Sequence, residues 1–192
     1  MSSKPADRLE SVASPALVIP SRREFLKQSA VAGAVAAGSI SSVMTAARNV
    51  HAAENNTLKV GLVGCGGRGS GAAVNAMNAD PNVKLTAMAD LFPDALAHSR
   101  EVLAKQIGPK YAVDDMHAFT GFDGYMNLLK TDVDVVLLCT PPHFRPAQLE
   151  AAIAAGKHVF CEKPVAVDAP GVRRVMATCE LAAQKGLNVV SG

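Results

Sequence analysis

The chain has 192 residues, of which 49% are hydrophobic, and a formal net charge of +2. Residues 1–52 hold 6 Lys and Arg against 3 Asp and Glu, and the remainder holds 13 against 14. The basic excess therefore belongs to the N-terminal segment, and the remainder gives no indication of a nucleic-acid partner. Its roughly 140 residues suffice for one domain with a hydrophobic core.

The N-terminal segment, residues 1–52, has the pattern of a twin-arginine export signal. Arg22 and Arg23 stand in the sequence Ser-Arg-Arg-Glu-Phe-Leu-Lys, and an uncharged stretch rich in Ala, Gly and Ser covers 28–47. Small residues around Ala52 offer a cleavage site. The alternative is a transmembrane anchor, since the uncharged stretch is nearly long enough to span a bilayer. Because its residues are weakly apolar, we predict a cleaved signal, a periplasmic or other extracytoplasmic location, and no stable membrane insertion afterwards.

A short linker, 53–57, leads into the predicted domain, 58–192. The first predicted strand, 58–63, runs directly into Gly-Cys-Gly-Gly-Arg-Gly over 64–69, which fits the pattern G-x-G-x-x-G. A helical pattern of small residues follows, and a second predicted strand ends at Asp90. A glycine pattern between a strand and a helix, with an acid about 20 residues further on, is typical of a dinucleotide-binding fingerprint.

Each residue type in this fingerprint suits one contact. Gly64 permits a tight turn, Gly66 lets the backbone approach a pyrophosphate, and Gly69 lets the helix pack close to the strand. The helix directs free N–H groups and the positive end of its dipole at the phosphates. We therefore predict that Gly67 and Arg68 also contact the cofactor. The alternative is a glycine-rich turn that binds no ligand.

Asp90, at the tip of the second strand, predicts NAD as the cofactor. Its carboxylate can accept hydrogen bonds from both ribose hydroxyls of the adenosine. A 2′-phosphate would face that carboxylate, and no Arg or Lys follows until Arg100. NADP is therefore less favoured, although Arg68 could still hold a phosphate.

Strands and helices continue to alternate along the rest of the chain. Further strands are predicted over 133–139, 157–161 and 187–191, with a shorter one near Ala118. Helices are predicted over 93–107, over 122–130, from Pro146 to Gly156, and from Asp168 onward. The last helix should bury Val172, Val175, Met176 and Cys179, which have helical spacing. This alternation predicts an α/β fold with a doubly wound, mostly parallel sheet.

The cysteines give no indication of a metal site. Cys65, Cys139, Cys161 and Cys179 form no C-x-x-C pair, the spacing typical of zinc ligands. Cys139 and Cys161 lie at the ends of neighbouring predicted strands and could approach each other. We interpret all four as small buried residues, because a protein that folds before export need not form disulfides.

Two further strand ends carry notable polar residues. Cys-Thr-Pro-Pro-His covers 139–143, and Cys-Glu-Lys-Pro covers 161–164. Ligands of doubly wound sheets bind beyond the carboxyl ends of the strands. We therefore expect both segments and the glycine fingerprint to converge on one rim of the sheet.

Together these segments resemble the Gfo/Idh/MocA family, which includes glucose-fructose oxidoreductase and inositol dehydrogenase. The resemblance rests on the glycine fingerprint, Asp90, Thr-Pro-Pro over 140–142 and Glu-Lys-Pro over 162–164, and it extends over nearly all of 58–192. It implies a Rossmann domain that binds NAD or NADP, followed by a second, α+β domain that completes the substrate site. Gly192 ends the chain where that domain would begin, so we expect the substrate domain to be absent from this chain.

The resemblance also implies roles for individual residues. Thr140 and Pro141 would border the nicotinamide, and Glu162 would lie near its ribose. Lys163 would be the catalytic lysine, in contact with the reacting hydroxyl. This role is physically sensible, because a partly desolvated lysine beside NAD⁺ has a lowered pKa and can then transfer a proton. The alternative is a solvated lysine on a loop.

One position departs from the family pattern. The family often has a histidine in the slot that Arg145 occupies here, and His143 stands two residues earlier. We therefore predict for His143 a contact with the cofactor, the substrate or the rim, and no catalytic role.

Three functions fit these features. The first is an exported NAD(P)-dependent oxidoreductase that transfers a hydride between nicotinamide and a hydroxyl of a sugar or polyol. The second is an NAD-dependent glycosidase of the same fold, which oxidises C3 of a sugar transiently. The third is a catalytically silent nucleotide- or sugar-binding module, against which Lys163 argues. An exported protein should hold its cofactor tightly, and the resemblance implies that the full-length protein is a homo-oligomer.

Overall fold

The computed structural model describes residues 57–192, and alternating strands and helices fill this range. The strands are β1 Leu58–Val63, β2 Val83–Asp90, β3 Ala118–Thr120, β4 Val135–Leu138, β5 His158–Cys161 and β6 Val189–Ser191. The α-helices are α1 Gly67–Ala79, α2 Pro93–Ile107, α3 Gly124–Leu129, α4 Arg145–Ala154 and α5 Ala169–Gln184. The export signal predicted over 1–52 lies outside the described residues.

The six strands run parallel in one sheet, in the order β3-β2-β1-β4-β5-β6. The strand order reverses at β1, which pairs with β2 on one side and with β4 on the other. In doubly wound sheets such a reversal opens a crevice beyond the carboxyl ends of the two central strands, and ligands bind there. The predicted α/β fold with a doubly wound parallel sheet is confirmed.

Helices cover both faces of the sheet. One hydrophobic cluster joins α1 and α2 to the strands through residues such as Leu62, Met77 and Leu103. A second cluster joins α3, α4 and α5 to the strands through residues such as Leu128 and Ile153. Because both faces are covered, the central strands are almost continuously apolar. This packing fixes the strand ends that surround the crevice.

Strands β4 and β6 begin two residues later than predicted, and two helices also begin or pack differently from the prediction. Helix α3 starts two residues late, because a turn closed by the Gly124 N–H and the Gly121 carbonyl at 3.1 Å precedes it. On α5, Val172 and Met176 are exposed, which corrects the predicted stripe. The buried residues of α5 are Val175, Thr178 and Ala182. The buried face of α5 is narrow because this helix packs mainly against α4.

A bilayer-spanning helix is not found among residues 57–192, where every helix is too short or too polar. This observation does not extend to the predicted signal.

Candidate functional site

The turn between β1 and α1 depends on glycine at two positions. Gly64 has a φ of 93°, in the left-handed region that residues with a side chain rarely adopt. A Cβ on Gly69 would lie 1.8 Å from the carbonyl oxygen of Gly64. Helix α1 therefore approaches the turn more closely than any side chain at Gly69 would allow.

The N-terminus of α1 is open. A Cβ on Gly66 or Gly67 would meet no atom within 4 Å. The first turn carries no side-chain cap and no acidic residue. Because the first N–H groups of a helix have no intrahelical acceptor and carry the positive end of its dipole, this end offers both space and donors to a phosphate. The residues present therefore fit the pyrophosphate of a dinucleotide.

Asp90 fixes this turn from the end of β2. Its Oδ2 accepts a hydrogen bond from the Cys65 N–H at 2.6 Å, and its Oδ1 accepts one from the Phe92 N–H at 2.9 Å. A carboxylate has about four acceptor sites, so Asp90 keeps lone pairs for a ribose while it anchors the glycine turn.

A groove of about 550 Å³ extends along this rim from Asp90 to Thr140. Its volume lies in the range of small-molecule and cofactor sites. Aromatic rings form much of its wall, and the rings of Phe122 and Phe144 lie 6.5 Å apart between centroids. The groove thus offers a largely apolar lining that begins beside the Asp90 carboxylate.

A second cavity of about 470 Å³ lies where β4 and β5 end. It shares Cys139, Thr140 and Pro141 with the groove, so the two spaces adjoin. Its other lining residues are Arg68, Arg145, Glu162 and Lys163. We call it the cation-lined cavity, because three of these four side chains carry positive charge.

Glu162 is a buried carboxylate at the end of β5. It is 2% exposed, and its Oε1 forms an ion pair with the guanidinium of Arg68. Arg68 is 61% exposed. The pair therefore links the glycine turn to the Glu-Lys-Pro segment at the surface of the cavity.

Arg145 lies behind the same segment, in the first turn of α4. It is 5% exposed, and its Nη1 donates a hydrogen bond to the carbonyl oxygen of Pro164. Its Nε is buried without a partner. The adjoining Lys163–Pro164 peptide bond is cis. The sequence alone assigned no role to Arg145, although this position often holds histidine in the family that the chain resembles. Its burial results from the packing of α4, which the neighbouring residues in the sequence do not reveal.

Lys163 and His143 take different places on the rim. Lys163 is exposed and lies on the wall of the cation-lined cavity. His143 is exposed and lines neither space, and its ring lies edge-on to the ring of Phe144 at 5.2 Å. The structure therefore does not bring His143 together with the other predicted site residues.

Sequence analysis missed several residues of the groove. Phe92 follows Asp90 directly, Phe144 follows the Thr-Pro-Pro segment, and both line the groove. Gln148 is buried and accepts a hydrogen bond from the Thr140 hydroxyl. The aromatic residues could have been found from their position just after strand ends, whereas the contact of Gln148 depends on the placement of α4.

All four cysteines are free thiols. Cys65 and Cys161 are buried as interpreted, whereas Cys139 and Cys179 are partly exposed. Within residues 57–192, no three His, Cys, Asp or Glu side chains gather as metal ligands would.

Cys139, on the wall between groove and cavity, should resist alkylation. Burial, followed by the nearby charge of Glu162, raises the pKa of its thiol to about 12. Since the thiolate is the reactive form, we expect its rate with iodoacetamide at pH 8 to be at least about 100-fold below that of a free cysteine. The rate should rise about tenfold per pH unit up to about pH 11. Peptide mass spectrometry after timed labelling measures it, and fast labelling at pH 8 would contradict the expected protonation.

The open helix end, the anchored acid and the adjoining groove define a dinucleotide-binding Rossmann domain. The family model described as "Oxidoreductase family, NAD-binding Rossmann fold" matches residues 58–192. The chain therefore belongs to the Gfo/Idh/MocA family and is an NAD-binding domain of that family's oxidoreductases.

Individual relatives carry different activities. A glycosyl hydrolase family 109 protein of Solibacter usitatus is 34% identical over 156 residues, which cover 76% of this chain and 33% of that protein. Scyllo-inositol dehydrogenase of Lactobacillus casei, solved with NAD(H) and scyllo-inositol, is 29% identical with a TM-score of 0.54, covering 71% of this chain and 36% of that one.

A 3-ketoreductase variant from Actinomadura kijaniata, solved with TDP-benzene and NADP, is 29% identical with a TM-score of 0.53. That similarity covers 71% of this chain and 38% of the ketoreductase. The chain spans about a third of the length of these relatives.

Proposed function

We propose that the protein is an NAD-linked oxidoreductase that transfers a hydride between nicotinamide and a hydroxyl of a sugar or polyol. The observation that carries this proposal is the position of Lys163. It lies on the wall of a cavity that adjoins the cofactor groove through Cys139, Thr140 and Pro141. A lysine in a cavity next to the cofactor groove would exchange a proton with a hydroxyl held beside the nicotinamide.

The proposal gives each part of the site one task. A bound nicotinamide would supply the hydride-transfer chemistry, and residues of the protein would handle the proton. The N-terminus of α1 holds the pyrophosphate, and Asp90 holds the adenosine ribose and favours NAD over NADP. Thr140 and Pro141 border the nicotinamide, Glu162 lies near its ribose, and Lys163 exchanges a proton with the substrate hydroxyl.

A second candidate is an NAD-dependent glycosidase on the same site. The observation that favours it is the 34% identity to a glycosyl hydrolase family 109 protein. Both candidates require the same cofactor and the same lysine, and they differ in whether the cofactor is changed at the end of a turnover.

The test uses the protein at its full encoded length. The purified protein is denatured, and any released nucleotide is identified by mass spectrometry. It is then offered sugars, polyols and p-nitrophenyl glycosides while absorbance at 340 nm and release of p-nitrophenol are followed. NADH formation with a sugar or polyol supports the oxidoreductase, whereas p-nitrophenol release without net NADH supports the glycosidase. A protein that neither contains nor binds NAD would contradict both and favour a silent module.

We also propose that residues 1–52 direct export by the twin-arginine route, with 53–57 as a linker. We expect the double substitution Arg22→Lys with Arg23→Lys to abolish processing and retain the precursor in the cytoplasm, because the paired arginines are the feature that such signals share. Cell fractionation with immunoblotting measures the outcome. Arg8→Lys with Arg48→Lys is the matched control, and processing that survives the Arg22 and Arg23 change would overturn the assignment.

A further inference from the structure

Arg145 is a buried charge without a carboxylate partner in the described part of the chain. No ion pair of residues 57–192 includes it. A guanidinium stays charged at every physiological pH, and buried charges in proteins are normally paired. Its one hydrogen bond there, to the Pro164 carbonyl, leaves Nε unsatisfied. The buried guanidinium therefore lacks an anion.

The cation-lined cavity is the place where that anion would bind. Arg145 and Lys163 line the same cavity, together with Glu162 and Arg68. Glu162 is the one carboxylate that lines this cavity, and it forms its ion pair with Arg68 from α1 rather than with Arg145. Once that pair is formed, Arg145 and Lys163 remain on the wall of the cation-lined cavity without a carboxylate partner.

The remaining donors of Arg145 suit an oxyanion. A guanidinium presents its N–H groups in a rigid planar fork that matches a carboxylate or a phosphate. Nη1 donates to Pro164 and Nε is buried, so Nη2 is the group left to donate to a ligand in the cavity. The hydrogen bond thus orients the guanidinium and leaves capacity for a ligand.

We propose that the cation-lined cavity binds a substrate bearing an oxyanion, carboxylate or phosphate, near the hydroxyl that reacts at Lys163, and that Arg145 selects for it. This inference rests on the proposed function and narrows its sugar or polyol to an acidic or phosphorylated derivative. Arg145 is the specificity-determining residue, and Lys163 keeps its role in proton transfer.

The test compares matched ligands on the NAD-loaded, full-length protein by isothermal titration calorimetry. D-Glucuronate and D-glucose 6-phosphate differ from D-glucose by one oxyanion at the same end of the sugar. We expect at least one anionic sugar to bind about 10- to 100-fold more tightly than glucose, the size of one charge-assisted contact. Which of the two binds distinguishes a carboxylate site from a phosphate site. If glucose binds as tightly as both, the proposal is overturned.

Variants then assign the preference to Arg145. With Arg145→Gln the anionic sugar should bind about as tightly as glucose. Arg145→Lys should keep part of the preference for the anionic sugar, because lysine retains the positive charge but lacks the planar set of N–H donors. Arg173→Gln, an exposed arginine on α5, is the matched control and should keep the full preference. Melting temperatures identify variants that fail to fold; if Arg145→Gln does, the Arg145→Lys variant carries the assignment, and an anion preference that it keeps in full would overturn the role of the guanidinium.

Two outcomes separate this inference from the proposed function. If the anionic sugar binds through Arg145 but no panel compound is oxidised or cleaved, the anion site stands and the proposed activity fails. If Arg145→Gln weakens NAD binding and leaves the sugar preference intact, Arg145 serves the cofactor and the anion site is overturned while the activity stands.

Discussion

Replacing Lys163 by alanine should lower kcat/KM of the full-length protein about 10²- to 10⁴-fold, the usual contribution of a general acid or base. NAD affinity should stay within about twofold, because we propose that the pyrophosphate binds at α1 and the adenosine ribose at Asp90. The side chain is exposed, so its removal should leave the packing of the domain intact. Steady-state kinetics and NAD titration measure the two effects.

Two further variants sharpen this result. Lys163→Arg keeps the positive charge but cannot deprotonate, so it should be nearly as inactive as Lys163→Ala if the lysine transfers a proton. Lys105→Ala, at an exposed position on α2, should behave as wild type. Turnover that survives Lys163→Ala would refute the proposed mechanism, and an active Lys163→Arg would indicate a purely electrostatic role.

Gly69→Ala should both destabilise the domain and weaken NAD binding. The added Cβ would lie 1.8 Å from the Gly64 carbonyl oxygen, which is backbone and cannot rotate away. Relief of this overlap requires α1 to move from the turn, at a cost of about 1–3 kcal/mol or more. The N–H groups at the start of α1 would move with it, so we expect NAD affinity to fall at least about tenfold. Urea unfolding and NAD titration measure the two effects.

Gly71→Ala is the matched control on the same helix. A Cβ there would meet no atom within 4 Å, and alanine is a better helix former by about 0.5–1 kcal/mol. We expect equal or greater stability and unchanged NAD affinity. If Gly69→Ala were as stable as Gly71→Ala, the close approach of α1 would not be a requirement of the fold.

The sequence is most informative where a feature is local. The fingerprint predicted a tight turn at Gly64 and close helix packing at Gly69, because both follow from backbone geometry within a few residues. The alternation of strands and helices likewise predicted the parallel sheet. On α5 the periodicity identified a helix but placed Met176 on the buried side, since helical spacing alone does not say how wide a face the neighbouring elements cover.

Long-range contacts of the site could not be read from any pattern. The ion pair of Arg68 with Glu162 joins residues from α1 and the end of β5. The burial of Arg145 depends on how α4 packs behind β5. An arginine in a helix is usually exposed, so nothing in the sequence indicated that this one is buried.

The double hydrogen bonding of Asp90 constrains how cofactor preference could be re-engineered. In the proposed binding mode Asp90 disfavours a 2′-phosphate, but the same carboxylate also accepts hydrogen bonds from the Cys65 and Phe92 amides. An alanine at position 90 would remove the repulsion between the carboxylate and a 2′-phosphate. It would also remove the two hydrogen bonds that hold the glycine turn. A successful NADP-accepting variant should therefore pair a basic residue nearby with a neutral acceptor at position 90, such as asparagine or serine, whose single acceptor oxygen can keep one of the two hydrogen bonds. Selection of this domain for NADP use should therefore yield the added basic residue and the substitution at position 90 together.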